Sequence, residues 1–413
     1  MRNAVRLTVA LLFGAAMLPG IPTSAATSDQ ASFARWTSSA DFAAGTSVAL
    51  SAGSGSMTLG TGTSKITYDD PRVTGGAKSY RTGAWTSPWQ DTGFDARTLI
   101  PSWSIKTPGR TWAKIEVRVR SGSTTGSWDT VARYATGTSD IKRTSYTSQI
   151  DDLARLSTDT IIANSGMTFT GWQVRVHLMQ SVTTTTKPTL FAVNGIAANY
   201  ATRATSTSAT TMTSTKDLSV PKSSQMIHSG QHPQWGGGGE AWCSPTSTSM
   251  VMRYYGAGPT PADYDWTRYA EGYVNHAARY TYDYRYEGTG NWPFNTAYSA
   301  GYALDSFVTR LGTLREAEAF IKAGIPLVAS VAFGKGELTG SPISSTPGHL
   351  LVIRGFAADG RVIANDPAAS TSSTVRRVYS RSQFEKAWLG GSGGVVYVIR
   401  PTSKPLPADS AHW

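Results

Sequence analysis

The chain has 413 residues, of which 40% are hydrophobic and 10% aromatic, and it carries a net charge of +11. This composition is typical of a globular protein, and the length exceeds what one hydrophobic core usually organises, so we expect two folded domains. The basic residues are scattered and form no nucleic-acid-binding motif. We therefore expect no nucleic acid partner, and we interpret the charge as solubility or as affinity for an anionic cell-wall polymer.

Residues 1–26 have the pattern of a signal peptide. Arg2 and Arg6 form a basic start, residues 8–18 are apolar, and small residues occupy positions 23–26. This pattern predicts an exported protein that is secreted, either free or associated with the cell wall. No later stretch approaches the roughly 20 apolar residues that a membrane-spanning helix needs.

Residues 27–200 show the period-two alternation of β-strands. Ile115, Val117 and Val119 alternate with charged residues, and the stretch from Trp172 to Leu178 repeats the pattern. Many turn residues separate these short segments, so we expect an all-β sandwich or jelly roll of unknown role. Its tryptophans are interpreted as core residues or, alternatively, as a carbohydrate-stacking platform, and the four concerned are Trp85, Trp89, Trp103 and Trp112.

A linker over residues 201–217 is predicted to separate this domain from a second one. Ten of the fourteen residues from Thr202 to Thr215 are Ser or Thr. Residues 218–402 then show helix signals first and strand signals later, which indicates an α+β domain. The predicted helices are Ser244–Tyr255 and Thr313–Ala323, and the predicted strands are 325–333, 349–356, 361–365 and 395–400. Residues 403–413 are expected to form a fraying tail.

Cys243 is the one cysteine of the chain, so no intramolecular disulfide can form. It directly precedes the predicted helix, where unpaired backbone N–H groups and the helix dipole favour a negatively charged sulfur. A thiolate is the nucleophile that acyl-transfer chemistry requires. The alternative interpretation is a buried, inert structural cysteine.

A nucleophilic cysteine needs a base, and two of the six histidines are candidates. His349 opens the apolar strand that begins after Pro347 and Gly348, which gives it a rigid position, whereas His276 follows a polar, tyrosine-rich stretch and is expected at the surface. We therefore favour His349. The others are set aside because they lie in the first domain, in a flexible glycine-rich loop or in the tail: His177, His228, His232 and His412.

Asp366 is the candidate for orienting the imidazole. The strand from His349 turns at residues 357–360 and returns towards Asp366. If Phe356 pairs with Arg361, Asp366 becomes the diagonal neighbour of His349, at roughly 7–8 Å between backbones. The alternative is that residues 365–367 form an ordinary turn at the end of a strand.

The oxyanion of an acyl-transfer reaction also needs hydrogen-bond donors. The backbone N–H of Cys243 can supply one, and a side-chain amide shortly before it can supply another. Gln225, Gln231 and Gln234 remain equal candidates, because the glycines at 236–239 make the intervening loop pliable.

Four segments occur in one order along the chain: Val220-Pro221 with Gln225, Glu240-Ala241-Trp242-Cys243-Ser244-Pro245-Thr246, Pro347-Gly348-His349 and Asn365-Asp366-Pro367. In this order and context the sequence resembles the papain-like cysteine peptidases of family C39, in their exported bacterial branch. The resemblance covers residues 218–400 and implies a papain-like fold that hydrolyses peptide bonds of a peptide or protein substrate through a thioester. It implies Cys243 as nucleophile, His349 as base, Asp366 as the orienting acid and Gln225 as the oxyanion amide, with no cofactor and no metal.

Other interpretations stay open at this stage. The same triad could transfer an acyl group to an amine or deamidate glutamine, and a non-catalytic wall-binding protein is a third possibility. Tyr280, Tyr282, Tyr284 and Tyr286 alternate as if on one face of an extended segment, where they could line a cleft or pack over the domain. Residues 390–394 fit a serine-hydrolase pattern but are expected to form a turn. We expect a monomer.

Overall fold

The first part of the chain, up to residue 200, is built mainly of two antiparallel sheets. The computed structural model describes residues 29–150, 152–204, 206–408 and 410–413, so the predicted signal peptide lies outside the described residues. Among those described, one sheet has the strand order Ala154–Ser157, Thr160–Ala163, Thr98–Lys106, Thr189–Ala198, Ser56–Leu59 and Leu50–Gly53, with Ala31–Trp36 also paired to Thr189–Ala198. The short helix Ser39–Ala43 follows the first strand.

The second sheet lies across a shared core from the first. Its order is Thr144–Ser145, Asp129–Tyr134, Thr111–Ser121, Phe169–Ser181, Lys78–Thr86 and Thr46–Val48, with Thr124–Thr125, Ser64–Tyr68 and Gln90–Ala96 paired at the sides. The alternating apolar residues of this sheet, such as Ile115 and Trp172, pack with Leu99 and Trp103 of the first sheet. The predicted β-rich first domain is therefore confirmed.

The tryptophans of this part serve mainly as core residues. Trp85, Trp103 and Trp112 are at most 1% exposed, so the interpretation as core is confirmed for them and the carbohydrate-stacking platform is wrong. Trp89 is half-buried, and the guanidinium groups of Arg118 and Arg120 lie over its ring at 5.0 and 4.6 Å.

The second part contains a third antiparallel sheet with helices packed against it. Within the described residues its order is Asp305–Arg310, Val395–Arg400, Leu327–Phe333, Thr346–Phe356, Val362–Asn365 and Arg376–Tyr379, with Lys216–Asp217 paired to Thr346–Phe356. The α-helices are Cys243–Tyr254, Gly272–Thr281, Trp292–Ala300, Leu314–Lys322 and Arg381–Ser392, and the 3-10 helices are Met226–His228, Pro233–Trp235, Gly239–Trp242, Pro261–Tyr264 and Ser372–Thr374. The predicted helices and strands of this part agree with these bounds to within about three residues, whereas three of the α-helices were not predicted.

The two parts pack directly on each other. Helix Trp292–Ala300 contacts strand Thr98–Lys106, and its Phe294 is fully buried against Trp103 and Tyr134, with ring centroids 6.1 and 5.8 Å apart. Because Phe294 belongs to the hydrophobic core of the first part, the packing is continuous between the two.

The predicted linker and the tail are both held by specific contacts. Thr210 and Thr211 of the predicted linker bind the buried carboxylate of Glu318, at 2.6 and 2.7 Å. In the tail, the Trp413 ring packs on Phe320 with centroids 4.8 Å apart. The predicted fraying of the tail is therefore wrong for residues 410–413, because an aromatic contact keeps its end on the core.

Candidate active site

Cys243 is the first residue of helix Cys243–Tyr254, as its position before Pro245 predicts. No side chain caps this end of the helix, so the N–H groups of the first turn remain available to a negative charge at the sulfur. The side chain is half-buried. The helix itself is fixed to the sheet, because the Ser247 hydroxyl donates to the Leu350 carbonyl at 3.0 Å.

His349 lies on the neighbouring strand Thr346–Phe356 and is 3% exposed. Its Nε2 is 2.8 Å from Oδ1 of Asp366, and the Cys243 side chain also favours the charged form of the imidazole. Because Nε2 is used by the carboxylate, Nδ1 is the ring nitrogen left for the sulfur. The structure thus brings together the three residues that the sequence nominated as nucleophile, base and orienting acid.

The strand pairing that brings Asp366 to His349 differs in one respect from the expected one. Phe356 pairs with Val362 and not with Arg361, so the predicted register at the turn is wrong by one residue. An irregularity between Ile353 and Gly355 then absorbs the extra residue, and Val352 pairs with Asn365 as the prediction requires. The diagonal placement of Asp366 therefore holds at the His349 end of the pair.

Asp366 is completely buried and accepts three hydrogen bonds. Its Oδ1 accepts from His349 and from the backbone N–H of Ala368 at 3.0 Å, and its Oδ2 accepts from the Tyr379 hydroxyl at 2.7 Å. Burial alone would raise the pKa of Asp366, but its attraction to His349 and these hydrogen bonds lower it. The carboxylate is therefore charged and fixed in orientation.

The imidazole of His349 is held in its protonated form. Burial opposes the charge, but Asp366 and then Cys243 outweigh it and raise the pKa of His349 to about 10. At neutral pH this imidazolium can donate a proton to a leaving group.

The three glutamines that the sequence left as equal candidates for the oxyanion amide differ in their burial and hydrogen bonds. Gln231 uses its whole amide, because Oε1 binds His228 and Asn275 while Nε2 donates to a backbone carbonyl. Gln234 is exposed. Gln225 is 2% exposed, and its Oε1 has no hydrogen-bond partner among the described residues.

Gln225 also lies at the triad end of the sheet. Its backbone N–H donates to the carbonyl of Pro367, the residue that follows Asp366, at 2.9 Å. Of the three glutamines it is therefore the one that is buried and whose amide oxygen has no hydrogen-bond partner within the described residues.

Two histidines that the sequence placed in exposed or pliable segments are buried. His276 is 6% exposed and its Nδ1 is 2.9 Å from the Tyr298 hydroxyl; burial lowers its pKa to about 4. His228 is fully buried and bound to Gln231 at 3.0 Å. The prediction that they lie in exposed or pliable segments is wrong, because aromatic and polar side chains of the second part pack around both rings.

A cavity of about 770 Å³ opens beside Cys243. The second part lines it with Glu240, Tyr286, Pro347 and Ser330, among others. The first part of the chain also lines the cavity, with Thr98, Ser145 and Thr160 among others. A volume of this size accommodates a ligand of several residues.

One other sequence prediction in this area is wrong, and a second holds only in part. Tyr280 lies in helix Gly272–Thr281 and residues 284–287 form a turn, so the alternating tyrosines do not share an extended face, although Tyr286 does line the cavity. Gly390 to Ser392 end helix Arg381–Ser392, and only Gly393 and Gly394, both with a positive φ, form the predicted turn into strand Val395–Arg400.

Neither a metal site nor a membrane-spanning helix is found in the part of the chain that the structure describes. No group of three or more metal-ligating side chains occurs there. No helix in those residues combines the length and apolar character needed to cross a bilayer.

Two family models match the chain. One, described as the peptidase C39 N-terminal domain, matches residues 32–198, and the other, described as the peptidase C39 like family, matches residues 217–394. No curated protein matches. Among solved structures, a crystal structure of a C39-like protein from Bacillus anthracis is 16% identical, with a TM-score of 0.30 over 45% of this chain and 98% of its own.

Proposed function

Because this chain belongs to the family of C39-like peptidases, we propose that it is an exported cysteine peptidase of papain-like fold. The observation that carries the proposal is the chain of contacts from Cys243 through His349 to the buried Asp366. A sulfur at a helix start, an imidazolium and a fixed carboxylate are the groups that amide hydrolysis through a thioester requires.

The first half of the reaction forms the thioester. The Cys243 thiolate attacks the peptide carbonyl carbon, and the oxyanion that forms accepts from the backbone N–H of Cys243 and from the Gln225 amide. His349 then gives its proton to the leaving nitrogen, so the C–N bond breaks and the amine departs. Asp366 keeps the imidazole oriented during this transfer.

The second half releases the acid. The neutral imidazole takes a proton from water as the water oxygen adds to the thioester carbonyl carbon. The C–S bond then breaks, the carboxylic acid leaves, and the thiolate and imidazolium are restored. Every step uses side chains that lie at this site, and none calls for a cofactor.

The test compares the wild-type protein with Cys243→Ala and His349→Ala on a peptide library read by mass spectrometry. We expect cleaved fragments from the wild type and none from either variant. His276→Ala is the matched control, because this buried histidine binds Tyr298 and not the site. Products with a changed mass but an intact backbone would show acyl transfer or deamidation and would refute hydrolysis.

A further inference from the structure

The cavity beside Cys243 is closed on one side by the first part of the chain. A hairpin formed by strands Ala154–Ser157 and Thr160–Ala163 reaches into it, and Ser157, Thr158, Asp159 and Thr160 all line the cavity. No sequence signal predicts this contribution, because the hairpin is far from residue 243 along the chain.

The tip of this hairpin is held in one position. Ser157 pairs with Thr160, which leaves a two-residue turn, and Thr158 has a φ of 56°, a left-handed conformation that β-branched residues rarely adopt. Oδ2 of Asp159 accepts from the backbone N–H of Trp292 at 3.1 Å, at the start of helix Trp292–Ala300. Oδ1 accepts from the Thr160 hydroxyl at 3.1 Å. These bonds fix the carboxylate against the second part of the chain.

Asp159 and Cys243 face the same space. Both act electrostatically on the hydroxyl groups of Tyr286 and Tyr397, whose pKa values are raised first by burial and further by these two residues. Tyr286 lines the cavity together with Asp159 and Cys243. The carboxylate and the nucleophile thus line one cavity, so a peptide bound across it meets both.

The carboxylate of Asp159 is not paired directly with a cation among the described residues, since its oxygens accept from the Trp292 N–H and the Thr160 hydroxyl. Burial raises its pKa to about 6, so it is largely ionised at pH 7. Arg310 also lines the cavity and is attracted to Asp159, but its guanidinium is held by the carbonyls of Ala201 and Gly393. The lining further includes the exposed Glu240, Glu287 and Arg285, so acidic side chains outnumber basic ones there.

We propose that Asp159 is a specificity-determining residue, which selects peptides that carry a cationic side chain near the scissile bond. This inference rests on the proposed peptidase function. Each carboxylate oxygen accepts one hydrogen bond and retains a lone pair, so a lysine or arginine side chain can add a charge-assisted bond in a partly dehydrated site. A neutral side chain in the same place would leave the carboxylate unpaired.

The test measures kcat/KM of the full-length protein on peptide pairs that differ only by lysine or norleucine at successive positions. We expect the wild type to prefer lysine at one position by about 10- to 100-fold. Asp159→Asn should lose that preference, so that the ratio of kcat/KM for the lysine peptide to kcat/KM for the norleucine peptide falls to about one. Asp69→Asn is the matched control, because Asp69 is an exposed carboxylate of the first part that does not line the cavity.

A second variant keeps the test valid if Asp159→Asn does not fold. Asp159→Ser also removes the charge but keeps a small polar side chain at the tip of the hairpin, and it should show the same loss of preference. A wild type that cleaves peptides without preferring lysine would overturn this inference alone, as would a variant that keeps the preference. A wild type that cleaves no peptide at all would overturn the proposed function as well.

Discussion

Asp366→Asn removes one charge from the buried pair and leaves the shape of the side chain almost unchanged. In the wild type, Asp366 offsets the burial of the His349 ring and raises its pKa to about 10. Without that charge, only Cys243 still opposes the burial of the imidazole, and burial favours the neutral form of the ring. The sulfur of Cys243 then loses its cationic partner at neutral pH.

The size of the effect follows from the geometry. Asp366 is fully buried, and its bond to His349 is 2.8 Å long. Breaking a buried pair by removing one partner costs about 3–5 kcal/mol, which corresponds to a loss of roughly 10²- to 10⁴-fold in rate if the cost falls on the transition state. Tyr379→Phe is the graded control: it removes only the 2.7 Å bond to Oδ2, which is worth about 1.5–3 kcal/mol.

The assay is the rate at which iodoacetamide alkylates Cys243, followed from pH 5 to pH 10. The wild type should react rapidly already near neutral pH, whereas Asp366→Asn should follow an ordinary thiol and react appreciably only near pH 8.5. Tyr379→Phe should lie between the two. Equal rates and equal pH profiles for the wild type and Asp366→Asn would refute the reasoning, because the carboxylate would then have no influence on the sulfur.

Three further predictions concern the oxyanion amide, the packing of the two parts and the pH dependence of stability. Gln225→Ala should lower kcat about 10²- to 10³-fold without changing the rate at which Cys243 is alkylated. The control variant Gln231→Ala should instead lower the melting temperature. Slower alkylation of Cys243 in Gln225→Ala would contradict the role of Gln225 as the oxyanion amide. Phe294→Ala should lower the free energy of unfolding by about 3–5 kcal/mol in one urea transition seen by fluorescence and circular dichroism alike, and two separate transitions would show that the parts unfold independently. The pKa of His349 is raised to about 10 from an unfolded value near 6.5. The stabilisation that the charged ring provides is therefore complete below pH 6.5 and is lost as pH rises through 10. The difference in free energy of unfolding between the wild type and His349→Asn, measured by urea unfolding, should shrink over that pH window.

The sequence predicts the triad because local signals place its members. Pro245 after Cys243 marks the start of a helix, and the apolar run after His349 marks a strand. The return of the chain to Asp366 follows from the length of the turn. These signals depend on neighbours in sequence, so they can be recognised without any knowledge of the tertiary structure.

The remaining features depend on contacts between distant segments. The irregularity at Arg354 shifts the strand pairing, and this side chain donates to Asp217 at 2.6 Å and to Asn365 at 3.1 Å. Nothing near Arg354 in the sequence signals those partners. In the same way, His276 follows a polar stretch but is buried because Tyr298 and Tyr280 pack on its ring.

The choice among the glutamines shows where sequence reasoning ends. Spacing alone cannot separate them, since each could reach the sulfur through a flexible loop. The structure separates them by the hydrogen bonds that they already make, because an amide used in a structural bond is not free to bind a substrate oxygen.

The insertion of Phe294 between Trp103 and Tyr134 limits how this chain can evolve. If a gene rearrangement separated the two parts, each would expose a hydrophobic surface where the other had packed, and both products would tend to aggregate. Separation of the two parts therefore requires compensating substitutions at this contact. A relative that kept only the second part should carry a hydrophilic side chain where this protein has Phe294.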